Sequence, residues 1–180
     1  MIELILGGAR SGKSRLAESR ANTVAESNKE SNNKSVYYLA TATADDDEMK
    51  QRIWHHQSRR PVHWHLVEEP FHLADVIARH NQADVIILID CLTLWLSNLL
   101  CHEDPERLLS EKQKFIEQLK QTQADIIMVS NETGLGIVPM GELTRRYVDE
   151  AGWLHQELAQ ISDRVTLVVA GLEQTLKSPS

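Results

Sequence analysis

Two cysteines in 180 residues exclude a disulfide framework. Cys91 and Cys101 suit a reducing cytoplasm and are expected as free, apolar core residues. Eight glycines and five prolines are too few for a collagen-like or low-complexity chain. With 42% apolar and 25% charged residues, a wholly disordered chain is excluded as well. An excess of positive charge is missing. The formal net charge is −7, which argues against a duplex-binding surface, so no nucleic-acid partner is expected. A long hydrophobic run is missing too. The longest, Val85 to Cys101, is broken by Asp90, Thr93, Ser97 and Asn98, and no membrane span is expected. Met1-Ile2-Glu3-Leu4-Ile5-Leu6 carries neither a basic region nor a small-residue cleavage site, so no signal peptide is expected. Neither an internal repeat nor a linker interrupts the chain. One domain is expected over 1–176, with a frayed tail at 177–180.

What is present is an alternation of short β-branched runs with longer amphipathic ones. That pattern predicts an α/β fold with a mostly parallel central sheet flanked by helices, and the G-x-x-x-x-G-K-[ST] run at Gly7–Ser14 makes it P-loop NTPase-like. Strands are expected at Ile2–Leu6, Val36–Ala40, Val62–Val67, Asp84–Asp90, Ile126–Ser130 and Val165–Ala170. Helices are expected at Lys13–Glu26, Asp45–Arg60, Pro70–His80, Leu92–Leu100, Pro105–Gln121 and Glu142–Ile161. Thr43 can cap the second helix and Pro61 stops it. The polar stretch Val24–Ser35 reads as an exposed loop around a helix end.

The sharpest signal is Gly7-Gly8-Ala9-Arg10-Ser11-Gly12-Lys13-Ser14, a G-x-x-x-x-G-K-[ST] phosphate loop between a strand and a helix. Its amides can form a concave anion site, and the helix start adds its positive dipole end. Lys13 would place a charge on the β- and γ-phosphates, and the Ser14 hydroxyl would ligate Mg²⁺. Asp90 closes a strand of Val, Ile, Ile, Leu and Ile. It is the expected second metal ligand, with a helix N-cap as its plainer role.

A guanine-reading Asn-Lys-x-Asp is missing, which disfavours a signalling GTPase and favours a small-molecule kinase or transferase. If 45–60 is helical, Glu48, Arg52, His55 and Arg59 share a face. A neutral imidazole between two guanidinium groups suits nucleophilic attack on phosphorus, although a solvated charged helix is the plainer reading. His63-x-His65 is a weak metal pair, and Asp45–Glu48 is most simply an acidic first turn. Asn131 and Glu132, following a strand, can read a substrate or a metal-bound water. Arg145 and Arg146 can meet phosphate or simply face solvent. On these residues alone, a kinase for some small molecule and a non-catalytic nucleotide-binding module remain open beside a nucleotidyl transferase.

Further segments complete a resemblance: Tyr38-Leu39-Ala40-Thr41-Ala42, Asp46-Asp47-Glu48-Met49, Arg52-Ile53, His55-His56, Arg60-Pro61, Trp64, Asp90-Cys91-Leu92-Thr93, Asn98-Leu99-Leu100, and Asn131-Glu132 through Pro139. With the phosphate loop, the chain resembles the bifunctional adenosylcobinamide kinase/adenosylcobinamide-phosphate guanylyltransferase family of cobalamin biosynthesis over nearly its whole length. The resemblance implies phosphorylation of adenosylcobinamide by a nucleoside triphosphate, ATP or GTP. GMP then passes from GTP, through a histidine, to the new phosphate. It implies His55 as that histidine. It implies nucleotide contacts at Ala40, Thr41, Ala42, His56, Gln57, Ser58, Arg59, Glu68 and Asp90, beside Gly7 to Ser14. It also implies a trimer. Two departures stand out: Val24–Ser35 is longer than usual, and Asp90 stands where some relatives carry Glu.

Overall fold

The computed structural model describes residues 1–27, 34–42 and 61–178. Seven strands form one sheet in the order β3-β2-β4-β5-β1-β6-β7. They are β1 Ile2–Gly7, β2 Ser35–Ala40, β3 His65–Glu68, β4 Val85–Asp90, β5 Asp125–Asn131, β6 Arg164–Val169 and β7 Leu172–Lys177. All neighbouring pairs are parallel except β6 with β7. The described helices are α1 Lys13–Ser27, α2 Leu73–Arg79, α3 Leu92–Leu100, α4 Glu106–Lys120 and α5 Glu142–Ile161.

Side chains alternate along each central strand and feed two cores. Ile5, Ile86, Leu88, Ile127 and Val129 pack beneath α1, which presents Ala17, Ala21 and Ala25. Those alanines recur every four residues, so they form one smooth stripe that lets the helix lie close to the sheet. Leu4, Leu6, Ile87, Ile89, Ile126 and Met128 face the larger core, with Trp95, Phe115, Leu154 and Leu158 from the other helices. Each fully buried Leu or Ile contributes about 1.5–3 kcal/mol. Among the described residues Trp95 is the largest wholly buried side chain, and its indole N–H donates to the Phe71 carbonyl at 2.7 Å.

Several expectations need correction. The third strand starts at His65 rather than Val62, because the Trp64 N–H turns back to the Pro61 carbonyl at 3.1 Å. That turn takes Val62 and His63 out of the ladder. The next helix starts at Leu73 rather than Pro70. The Glu69 carboxylate instead accepts the N–H groups of Phe71 and His72 at 2.9 and 3.0 Å, forming a side-chain-closed turn. The strand β7 was not expected. Ala170 and Gly171 both adopt positive φ, 52° and 80°, and this two-residue reversal pairs β7 antiparallel with β6. The strand runs to Lys177, one residue into the segment expected to fray, and the Lys177 ammonium donates to the Ala159 and Gln160 carbonyls at 3.0 Å each. Only one cysteine is partly buried. Cys101 is exposed, because it sits at the C-terminal cap of α3, beyond the last buried residue, Leu99.

The expected helix over 45–60, with Thr43 as its cap, lies outside the described residues. The excursion at Val24–Ser35 is described only at its two ends, where α1 reaches Ser27 and β2 begins at Ser35.

Candidate active site

Register alone brings the predicted residues to one edge. Ala40 is level with Glu68 on one side and with Asp90 on the other. Gly7 is level with Asn131. The phosphate loop, Ala40–Ala42, Glu68, Asp90 and Asn131–Glu132 therefore share the carboxyl edge of a parallel sheet, where open α/β folds bind ligands.

The loop itself is a tight construction. Gly7 is required sterically: a Cβ there would stand 2.6 Å from the Val168 carbonyl oxygen and 2.6 Å from Ser11 Oγ. Arg10 and Gly12 adopt positive φ, 58° and 101°. Such alternation turns successive amides toward one concavity, a site for anions. The Ser11 N–H donates to the Gly8 carbonyl at 3.2 Å and the Gly171 N–H donates to the Ser11 carbonyl at 2.8 Å. The unexpected hairpin thus buttresses the loop from behind. Gly8, Ala9 and Arg10 are exposed at its rim, and Ser14 is half-buried in the first turn of α1.

Lys13 is buried and its ammonium donates to the Gly8 carbonyl at 3.1 Å, spanning the loop. Burial pushes its pKa below the ordinary value, while Cys91 and Asp90 act in the opposite direction. A polyphosphate in the loop would supply the negative charge that a buried ammonium requires. Asp90 accepts a hydrogen bond from the Tyr38 hydroxyl at 3.0 Å through Oδ2. The cap of α3 is Cys91, with no side-chain capping bond, so Asp90 does not act as the N-cap. Burial, and then the Asp90 charge, push the Cys91 thiol up to about 11, which keeps it protonated and unreactive.

The cradle beside Asp90 is built by Thr41. Its side chain is wholly buried, accepting the Cys91 N–H at 2.9 Å and donating to the Cys91 carbonyl at 2.7 Å. Asn98 from α3 ties down the Thr41 and Pro70 carbonyls at 3.0 and 3.2 Å. The Thr41 hydroxyl is therefore committed to scaffolding and sets the positions of Ala40 and Ala42. Sequence reasoning assigned no role to Tyr38, Asn98, Gly171 or His155, of which Tyr38 and Asn98 lay inside quoted motifs. Glu68 ends β3 with its side chain exposed at the edge. Arg145 folds back onto the carbonyls of Pro139 and Met140. His55, His56, Gln57, Ser58 and Arg59 lie outside the described residues.

The residues present fit a magnesium ion. Ser14 offers a hydroxyl at the loop's helix start, and Asp90 retains an oxygen, Oδ1, that no described residue engages. Among the described residues no group of three or more His, Cys, Asp or Glu is placed to hold a metal. Magnesium on a nucleotide needs only one or two protein oxygens, the phosphates and water completing its shell. No described helix is long and apolar enough to cross a membrane.

A profile of the cobinamide kinase / cobinamide phosphate guanyltransferase family matches residues 3–176. The chain belongs to this family. It is 55% identical to the bifunctional adenosylcobalamin biosynthesis protein CobP of Pseudomonas aeruginosa, over 98% of each chain. It is 36% identical to the bifunctional adenosylcobalamin biosynthesis protein CobU of Escherichia coli, over 98% of this chain and all of that one. It is 37% identical to the CobU of Salmonella typhimurium, again over 98% of this chain. The family profile runs from β1 into β7, so it takes in the phosphate loop, Asp90, Glu132 and the buttressing hairpin together.

Proposed function

We propose that this chain phosphorylates adenosylcobinamide with a nucleoside triphosphate and then joins GMP from GTP to that phosphate. The product is adenosyl-GDP-cobinamide. The observation that carries this reading is the family match across the full sheet, with an intact phosphate loop and the buried Lys13 at its mouth. In both steps the loop amides and Lys13 hold the phosphates and oppose the charge that develops on them. Ser14 and Asp90 would hold Mg²⁺, which when bound neutralises phosphate charge. In the first step the substrate hydroxyl attacks the γ-phosphorus in line and the nucleoside diphosphate leaves.

In the second step His55 attacks the α-phosphorus of GTP; a P–N bond forms, the bond to the β-phosphate breaks, and pyrophosphate departs. The cobinamide phosphate then displaces His55. Glu68, Ala40, Ala42 and the segment from His56 to Arg59 line the nucleotide in this reading, with Thr41 holding that edge from within. The protein works as a homo-oligomer, a trimer, in the cytoplasm, on small molecules alone. The test is incubation with α-labelled GTP, followed by denaturation. The expected label is acid-labile, base-stable and absent from His55→Ala. A label that persists in that variant removes His55 from the reaction.

A further inference from the structure

We propose that Glu132 takes the proton of the attacking hydroxyl in the phosphoryl-transfer step, and that His155 is the positioning residue that holds it there. This rests on the activity proposed above and assigns roles within it.

Glu132 begins where the phosphate loop begins. Its N–H donates to the Gly7 carbonyl at 3.0 Å, one residue past the last rung between β1 and β5. Its side chain is 22% exposed and anchored on two sides. Oε1 accepts the Gly134 N–H. A Cβ at Gly134 would stand 3.1 Å from that oxygen, so the tight approach favours glycine. Oε2 faces His155 Nδ1 at 3.7 Å.

His155 comes from the buried stripe of α5, between Leu154 and Leu158. It lies deep, with 7% of its surface exposed, and its Nε2 meets Ser130 Oγ at 2.8 Å. Its Nδ1 is buried with no hydrogen-bond partner among the described residues, and Glu132 Oε2 is the acceptor it faces. A buried polar atom of this kind is costly unless some state of the protein satisfies it. A shift of less than about 1 Å by the half-open Glu132 would complete the bond. Burial lowers the His155 pKa despite the neighbouring Glu132 charge, so the ring is neutral. A neutral donor orients a carboxylate without neutralising it, and the acid keeps its ability to take a proton. The Glu132 carboxylate, which can only accept, favours the tautomer with its proton on Nδ1, and the Ser130 hydroxyl then donates to Nε2.

The two reactions differ in whether they need such a base. In phosphoryl transfer the hydroxyl oxygen bonds to the γ-phosphorus, the bridging P–O bond breaks, and the diphosphate leaves with that electron pair. The hydroxyl proton passes to the Glu132 carboxylate. In guanylyl transfer the acceptor is a phosphate oxygen that is already ionised, so no proton has to be removed.

The experiment is steady-state kinetics on the full-length chain, scoring the two half-reactions separately: ATP with adenosylcobinamide, and GTP with adenosylcobinamide phosphate. Glu132→Gln preserves shape and the hydrogen bond accepted from Gly134, and removes the carboxylate that takes the proton. It should lower kcat of the first reaction about 10²–10³-fold, with the nucleotide KM within about twofold, and leave the second within about twofold. His155→Gln should lower the same kcat by about tenfold, and Glu132→Asp should restore part of what Glu132→Gln loses. Equal losses in both reactions would assign Glu132 a structural role, and an unchanged first reaction would remove it from chemistry; either overturns the proposal. Wild-type protein that performs neither reaction refutes the assigned activities and this role together.

Discussion

Substituting Gly7 with alanine tests whether the phosphate loop is closed by backbone contact. The new Cβ would lie 2.6 Å from the Val168 carbonyl oxygen and 2.6 Å from Ser11 Oγ. Carbon–oxygen contacts are comfortable at about 3.3–3.6 Å, so about 0.8 Å must be found on two sides. The Ser11 hydroxyl can rotate aside. The Val168 carbonyl cannot, because it belongs to the ladder between β1 and β6, with Gly7 directly opposite Val168. The strain therefore falls on the Gly7 backbone and on the hydrogen bond that its carbonyl receives from Glu132.

Overpacking of this kind costs about 1–3 kcal/mol, which for a domain of this size lowers the melting temperature by about 2–12 °C. Displacing the first residue of the anion site by even about 1.4 kcal/mol of lost contact weakens GTP binding about tenfold. Thermal unfolding and titration calorimetry with GTP measure the two effects. Gly8→Ala is the internal control. Its Cβ meets nothing within 4 Å, so its melting temperature should stay within about 2 °C of wild type. A Gly7→Ala protein that melts and binds GTP like the wild type refutes the claim that close backbone approach makes the loop.

Other consequences follow from single contacts. His155 has a folded pKa below its ordinary 6.5, from burial opposed by Glu132. The unfolded chain therefore binds the extra proton first; this contribution is complete above pH 6.5 and is lost as pH falls through the depressed value. Denaturant midpoints measured from about pH 7.5 to 5 should fall less steeply in His155→Gln than in wild type. Burial shifts His80 in the same direction, so part of the slope should remain. Tyr38→Phe removes the 3.0 Å bond to Asp90 and should cost about 1 kcal/mol of stability in chemical denaturation. Unchanged denaturation would mean that this hydroxyl holds nothing. Trp95→Ala empties the largest buried site and releases the Phe71 carbonyl. Its expected cost is about 3–5 kcal/mol, read from the same curves, and a loss under about 1 kcal/mol would show that the core collapses to fill the space.

Local chemistry was sufficient for the loop and its frame. The residues from Gly7 to Ser14 are contiguous, and the runs at Val85–Ile89 and Ile126–Val129 are apolar at every position, so a parallel sheet buried on both faces was legible from neighbours in the chain. The function class was legible for the same reason, since the resemblance rested on short contiguous motifs, and the family match agrees with it. Strand ends were less legible. The turn at Pro61–Trp64 and the Glu69 cap depend on individual hydrogen bonds that composition does not encode.

Tertiary structure alone decided how the site is supported. The Thr41 hydroxyl serves the Cys91 backbone fifty residues away. The Gly171 amide braces Ser11 from the far end of the chain. His155, which no sequence signal singled out, faces Glu132 and Ser130. Even the fate of Cys101 followed from where α3 ends. Periodicity states which face of an element is apolar, but it carries no information about which distant polar atom that face will meet. Those pairings are fixed only when helices and strands pack, because an unpartnered buried donor or acceptor is penalised only once water has been excluded.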